Sequence, residues 1–285
     1  MFVALILAIS VVRGSAQAGP TAVRTDTIVT RDGVRIAYDV RGHGPVALVF
    51  LHCWACNRAF WRQQADVFAA SHEVVTIDLA GHGDSGRNRA HWSISGLADD
   101  VVAVVDHLAL RQIIFVGHSM GGPVALEAVR RLRGRVVGVV LVDTLHDVSH
   151  RRTPSEARAD ADQLRRDFKG YFADLSAMFS KSSSREVRSW VEQQAQSADP
   201  PTMIALKLDT PNQDPVGLLE HARVPIRAIN ARPPLSDATN TEENKRHADY
   251  EATLIDDAGH FLILEQPRRF NAALEHWISS LTAPS

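Results

Sequence analysis

The sequence is poor in cysteine, carries no block of like charge and has no apolar run long enough to cross a bilayer. Each shortage removes a class of protein. Two cysteines in 285 residues cannot staple a fold, and a chain of this length buries enough apolar surface to do without bridges. Nor can two cysteines hold zinc alone, and no histidine pair at ligand spacing stands beside them. A formal net charge of -2 without any clustered basic face argues against nucleic acid or an anionic membrane as a partner. The pairs Arg130-Arg131 and Arg165-Arg166 fall in helix-like stretches and read as solvated faces. Apolar content of 45% and charged content of 22% are those of a globular chain, which excludes disorder. There is no internal repeat and no low-complexity segment.

What is present begins with an apolar leader. Phe2 to Val12 is almost unbroken apolar sequence, too short to span a bilayer, and it ends near Ala16-Gln17-Ala18. That pattern is expected of a cleavable export signal over residues 1–18, although no Lys or Arg precedes the apolar stretch. If the segment is not cleaved, a cytoplasmic or N-terminally anchored protein is the alternative. An exported chain would be periplasmic or extracellular, with no stable membrane insertion once the signal is removed. In that setting Cys53 and Cys56, in Cys-Trp-Ala-Cys, serve as two small buried thiols or as one local bridge. A redox pair would instead open a helix in a βαβ unit.

Beyond the leader, strand and helix patterns alternate. Thr27–Thr30 and Arg35–Val40 flank Asp32-Gly33, a hairpin signal. Val46–Leu51, Val74–Ile77, Ile113–Val116 and Val136–Val142 are continuous apolar runs, as expected of strands covered on both faces of a parallel sheet. Leu97, Val101, Val104, Val105 and Leu108 make a helical stripe, and Val124 to Leu132 makes another. Ile226–Asn230 and Glu251–Ile255 are later strands, and Phe270, Leu274, Trp277, Ile278 and Leu281 mark a closing helix opened by Pro267. This order predicts an α/β fold with a mostly parallel central sheet and helices on both faces. Between Asp147 and Arg223 no buried-strand run occurs, only polar helical pattern such as Ala157 to Phe172 and Arg185 to Gln196. Residues 147–223 are therefore expected to form a helical lid inserted after the sixth strand, with 19–146 and 224–285 as the core.

The chemistry is carried by Gly117-His118-Ser119-Met120-Gly121-Gly122, which follows a buried run and precedes a helix. In that context Gly-x-Ser-x-Gly is a nucleophile elbow. A serine at so tight a turn takes a strained backbone, and glycines two residues away let strand and helix approach. The Ser119 hydroxyl then stands clear of the sheet, with the Met120 N–H at the helix start aimed at a developing oxyanion. A serine hydroxyl needs a base. Of 13 histidines, His260 follows the last strand and precedes the last helix, which places it at the carboxyl edge of the sheet beside Ser119. His118 should point away from Ser119, and His52, His72, His82, His146 and His247 read as structural or surface groups.

Taken together, these stretches resemble the α/β-hydrolase family over nearly everything after the leader. Leu51-His52-Cys53-Trp54 resembles the segment that ends the family's third strand, Asp78 to Ser85 resembles its turn after the next strand, and Ala258-Gly259-His260-Phe261 resembles its histidine loop. The resemblance implies a second oxyanion N–H from Trp54, with Cys53 standing where the family has glycine. The family's usual acid position is Pro233 in this chain. Some relatives carry the acid at the end of the strand after the nucleophile helix, where this sequence has Asp143; Asp237 is the alternative. Either acid would hold the imidazole in its working tautomer.

Serine in place of aspartate at the nucleophile position disfavours dehalogenase and epoxide-hydrolase chemistry. The expected activity is hydrolysis of a small-molecule carboxylic ester through an acyl-enzyme, without metal or organic cofactor. Amide, lactone and carbon–carbon bond hydrolysis are the alternatives on the same residues. A non-catalytic small-molecule-binding module is the alternative of another class. Trp54, Phe168, Phe172, Met178, Phe179 and Trp190 are candidates for the acyl pocket or for ordinary lid packing.

Overall fold

The computed structural model describes residues 22–173, 175–232 and 239–283. The expected leader and Asp237 lie outside the described residues. Among the described residues there are eight strands: β1 (Arg24–Val29), β2 (Arg35–Arg41), β3 (Ala47–Leu51), β4 (Glu73–Ile77), β5 (Ile113–His118), β6 (Val136–Val142), β7 (Ile226–Arg232) and β8 (Tyr250–Asp256). They form one sheet in the order β1-β2-β4-β3-β5-β6-β7-β8. The β1–β2 and β2–β4 pairings are antiparallel, and every other pairing is parallel. The first turn is tight because Gly33 supplies φ +81°, a conformation that costs glycine nothing.

Helices cover both faces of this sheet. They are α1 (Arg62–Phe68), α2 (Ile94–His107), α3 (Gly121–Arg131), α4 (Pro154–Arg166), α5 (Phe168–Tyr171), α6 (Arg185–Gln196), α7 (Pro200–Asp209), α8 (Pro215–Ala222), α9 (Thr241–Lys245), α10 (Leu262–Glu265) and α11 (Pro267–Thr282). One layer is built on α3, which packs on β3, β5 and β6 and touches α2 and α8. The other is built on α11, which packs on β6, β7 and β8 and touches α1 and α10. Sandwiched between them, β3 and β5 are buried at every position, which is why their sequences read as unbroken apolar runs.

Strand order reverses at β3, since β4 pairs on one side of it and β5 on the other. The loops leaving β3 and β5 therefore diverge and leave a crevice at the carboxyl edge of the sheet. Helices α4 to α8 occupy the connection between β6 and β7, with no strand among its described residues. The helical pattern from Ala157 to Phe172 is split, because Asp167 takes a non-helical conformation and caps the short α5 by accepting from the Gly170 N–H. Several elements had too little periodicity to be read from sequence, notably the short α1, α9 and α10 and the weakly amphipathic α7.

Candidate active site

The elbow follows from two close approaches. A Cβ on Gly117 would lie 2.4 Å from the Gly121 carbonyl oxygen, and one on Gly121 would lie 2.4 Å from the Leu51 carbonyl oxygen. Only glycine lets β5, α3 and the end of β3 meet in this way. Between them Ser119 sits at φ +51°, the left-handed region that non-glycine residues rarely occupy. Its N–H donates to Val142 O at 2.9 Å, and its carbonyl accepts from Gly122 N–H at 2.9 Å. The strained turn is thus tied to β6 on one side and to α3 on the other.

Asp143 ends β6 and is also left-handed, at φ +46°. Its N–H donates to Ile229 O at 3.1 Å, and its Oδ1 accepts from Ala231 N–H at 2.9 Å. Both bonds reach to β7 and aim the carboxylate across the end of the sheet. The other oxygen, Oδ2, lies 2.6 Å from His260 Nδ1, and His146 Nε2 is 3.6 Å from Oδ1. Burial pushes this carboxyl up, but the hydrogen bond and charge of His260, with His146 and the Ala231 N–H, outweigh burial and hold it below the usual carboxylate range. Asp143 is therefore ionised and accepts from His260, which fixes a proton on Nδ1 and turns Nε2 away from the carboxylate.

The His260 loop is held at several points. His260 N–H donates to Met178 O at 2.8 Å. Glu265 accepts from Gly259 N–H at 3.1 Å and from Ser180 N–H at 2.8 Å, joining this loop to the segment before α6. The His260 carbonyl accepts from His118 Nε2 at 2.8 Å. His118 is fully buried, and desolvation pushes it down to about 3, so it is a neutral Nε2–H tautomer that buttresses the histidine loop. Neither His118 nor Glu265 carries a local sequence signal for this role, because the partners come from distant loops. Among the described residues no hydrogen bond joins Ser119 Oγ to His260; the two side chains share the lining of one cavity.

The loop after β3 is rigid by construction. His52 Nε2 accepts from Leu79 N–H at 3.0 Å, which makes Nδ1 the donor to Cys53 O at 2.8 Å. Cys53 and Cys56 form a disulfide, and Ala55 between them sits at φ +59°. Trp54 is fixed at its far end by Nε1–H donating to Met203 O at 3.1 Å, on α7. No hydrogen-bond acceptor for the Trp54 or Met120 backbone N–H is found among the described residues.

Two cavities meet at Ser119. A cavity of about 140 Å³ is lined by Phe60, Phe172, Leu175, Met178, Val191 and Phe261 together with Ser119 and His260. It is walled by apolar side chains from α5, α6 and the intervening turn. Of the aromatic and Met candidates, Trp54, Phe172 and Met178 line it. Phe179 stacks on Phe261 at 5.2 Å, Trp190 packs on Phe60 at 4.5 Å, and Phe168 packs on Phe172 at 5.1 Å. Those three support the wall and do not form it. A second cavity of about 450 Å³ lies on the other side and is more polar. Trp54 and Lys207 border both. No group of three His, Cys, Asp or Glu side chains among the described residues is arranged to hold a metal ion.

A serine on a strained strand-to-helix turn, facing a histidine bonded to a buried carboxylate at the carboxyl edge of a mostly parallel sheet, defines a class. The chain belongs to the alpha/beta hydrolase family, whose model matches residues 48–273. It is similar in structure to a thermophilic esterase from Thermogutta terrifontis, with a TM-score of 0.79 and 26% identity over 91% of this chain and 100% of that one. It is also similar to Est816, described as an N-acyl homoserine lactone degrading enzyme, with a TM-score of 0.73 and 29% identity over 87% of this chain and 99% of that one. In sequence it is 33% identical over 39% of its length to a dihydrolipoyllysine-residue acetyltransferase component of the acetoin cleaving system from Cupriavidus necator. It spans only 30% of that protein's length.

Proposed function

We propose that this enzyme hydrolyses a carboxylic ester of a small molecule through an acyl-enzyme on Ser119. The observation that carries the reading is the 2.6 Å contact between Asp143 and His260 Nδ1, which leaves Nε2 as the basic nitrogen of the ring. In the first half-reaction Ser119 Oγ bonds to the carbonyl carbon while His260 Nε2 takes the hydroxyl proton. The carbonyl oxygen becomes an oxyanion held by the N–H groups of Met120 and Trp54. The tetrahedral intermediate collapses, the bond to the alcohol oxygen breaks, and His260 returns its proton to that oxygen. Water then attacks the acyl group with His260 again as base, which releases the acid and restores Ser119. Asp143 stays ionised throughout and stabilises the imidazolium.

A second reading is supported by the likeness to Est816. In a lactone the leaving oxygen remains tethered to the acyl group, so the same residues and the same proton transfers apply.

The test is intact-mass spectrometry after treatment with a fluorophosphonate probe. A single adduct is expected on the wild-type enzyme, absent in Ser119→Ala and strongly slowed in His260→Ala. A folded wild-type enzyme that stays unlabelled would remove the acyl-enzyme reading. Turnover of an ester and lactone panel then separates the two substrate classes.

A further inference from the structure

The two cavities at Ser119 differ in charge. The smaller one is apolar, and the larger one is lined by Arg151, Arg152, Lys207, His146, His150 and Asp147. Asp147 accepts from Ser149 N–H and Oγ at 2.9 and 2.6 Å and from Asn240 Nδ2 at 2.9 Å; these donors are neutral, so its negative charge remains and offsets that of Arg151 in the charge balance of the wall. Arg152 is ion-paired with Asp160, and Lys207 Nζ lies 3.7 Å from the same carboxylate. One carboxylate thus faces two cations, which leaves one positive charge in the pair uncompensated. The Nε of Arg152 is buried with no hydrogen-bond partner among the described residues. Burial is the main influence on the Lys207 ammonium and pushes it down, with Asp160 offsetting only part. The Lys207 side chain is 21% exposed, and a partly buried ammonium short of anionic partners gains from a bound anion.

Position adds to charge. Lys207 Nζ stands 4.4 Å over the Trp54 ring, and both residues border both cavities. The Lys207–Trp54 stack is therefore the partition between the apolar side and the basic side of the site, next to Ser119. The cation lies within the substrate-facing wall, whereas an ordinary surface salt bridge would place it in solvent.

We propose that the larger cavity is a carboxylate subsite, in which Lys207 and Arg152 bind an anionic arm of the substrate while the ester is held at Ser119. A singly charged carboxylate matches the one uncompensated charge, where a phosphate dianion would overfill it. The inference rests on Ser119 acting as the nucleophile. Its substrates are esters with an apolar group on one side of the scissile bond and a carboxylate-bearing arm on the other. Lys207 is then a specificity-determining residue.

The experiment compares kcat/KM for matched pairs on the wild-type enzyme and on Lys207→Met and Lys207→Arg. One pair places the charge in the acyl part, mono-4-nitrophenyl glutarate against 4-nitrophenyl pentanoate. The other places it in the alcohol part, 4-carboxyphenyl butyrate against phenyl butyrate. In Lys207→Met the anionic-to-neutral ratio is expected to fall by about tenfold or more in one pair, and Lys207→Arg is expected to keep most of it. A merely structural Lys207 would lower both members of a pair together and leave the ratio where it was. A ratio within about threefold of wild type in both pairs overturns the subsite. Loss of all ester turnover with an unlabelled Ser119 would instead strike the acyl-enzyme reading, so the two failures are distinguishable.

Discussion

At the scale of single residues, Asp143 is held where a carboxylate is costly unless it has work to do. It is 5% exposed, at φ +46°, and left-handed backbone at a non-glycine residue costs about 1–3 kcal/mol. Ser119 carries the same strain at φ +51°. Two strained residues facing one histidine mark where stability has been traded for geometry. In Asp143→Asn the side chain keeps its shape, but the amide can no longer hold His260 in the Nδ1–H tautomer as an anion does. The expected outcome is a kcat lower by about 10³–10⁴-fold with little change in KM, read from steady-state kinetics on an activated ester. Asp237→Asn serves as the comparison, and the larger loss is expected for Asp143→Asn. If Asp237→Asn proves the more damaging, the acid has been misassigned.

At the scale of elements, the site is made where three segments touch backbone to backbone. The end of β3, the end of β5 and the first turn of α3 meet at Gly117 and Gly121. A Cβ at Gly121 would stand 2.4 Å from Leu51 O and 3.0 Å from His52 O. Neither atom can move without shifting the strand or the loop that carries Trp54. Gly121→Ala is expected to cost about 3 kcal/mol in urea unfolding. Gly134 is the control, since it sits at φ +79° with open space around its Cα, and Gly134→Ala should cost only about 1 kcal/mol. A loss in Gly121→Ala no larger than that in Gly134→Ala would mean that the neighbouring backbone gives way and the close approach does not require glycine. The loop after β3 is built on the same logic with different chemistry. The family's glycine is replaced by Cys53, and a local disulfide with His52 behind it holds the loop.

At the scale of the whole molecule, the interior is uneven in its response to acid. His52, His82 and His118 are all buried. Burial lowers them to about 4, 3 and 3 respectively. Each binds a proton near 6.5 when unfolded but stays neutral in the fold. Between about pH 6.5 and 4 the unfolded chain therefore holds more protons, and stability falls as pH falls through that window. Asp143 acts in the same direction at lower pH, because its depressed carboxyl contributes stability that is lost as pH falls through its folded value. Asp78 and Asp100 work the other way, since burial raises both, Asp100 to about 6. The three lowered histidines outnumber the two raised carboxylates, and His247, raised by Glu220 and Glu243, opposes them only near neutrality, so the net effect of acidification is destabilising. The urea midpoint is accordingly expected to fall steadily from pH 7 to pH 5. A midpoint that is flat or rises over that range would show that these histidines are not held neutral. No helix among the described residues is long and apolar enough to cross a membrane.

By itself the sequence determined the elements whose physics is local. The unbroken apolar runs of β3, β5 and β6, the stripe of α2 and the Gly-x-Ser-x-Gly pattern around Ser119 are each legible from neighbours along the chain, whereas Gly121 and Gly259 answer to the distant Leu51 and to Met178 and Phe179. Residue order therefore also determined that Ser119 and His260 both lie at the carboxyl edge of the sheet. Tertiary structure alone decided which distant groups surround them. Asp143 and Asp237 were both consistent with the chain order, and the contact to His260 depends on how β7 aims the end of β6 through Ile229 and Ala231. The buttress from His118, the tie through Glu265 and the Lys207–Trp54 partition all join residues far apart in sequence. Such contacts leave no periodicity to read, because a single side chain meeting a distant loop obeys the geometry of the folded core and not the repeat of its own helix or strand.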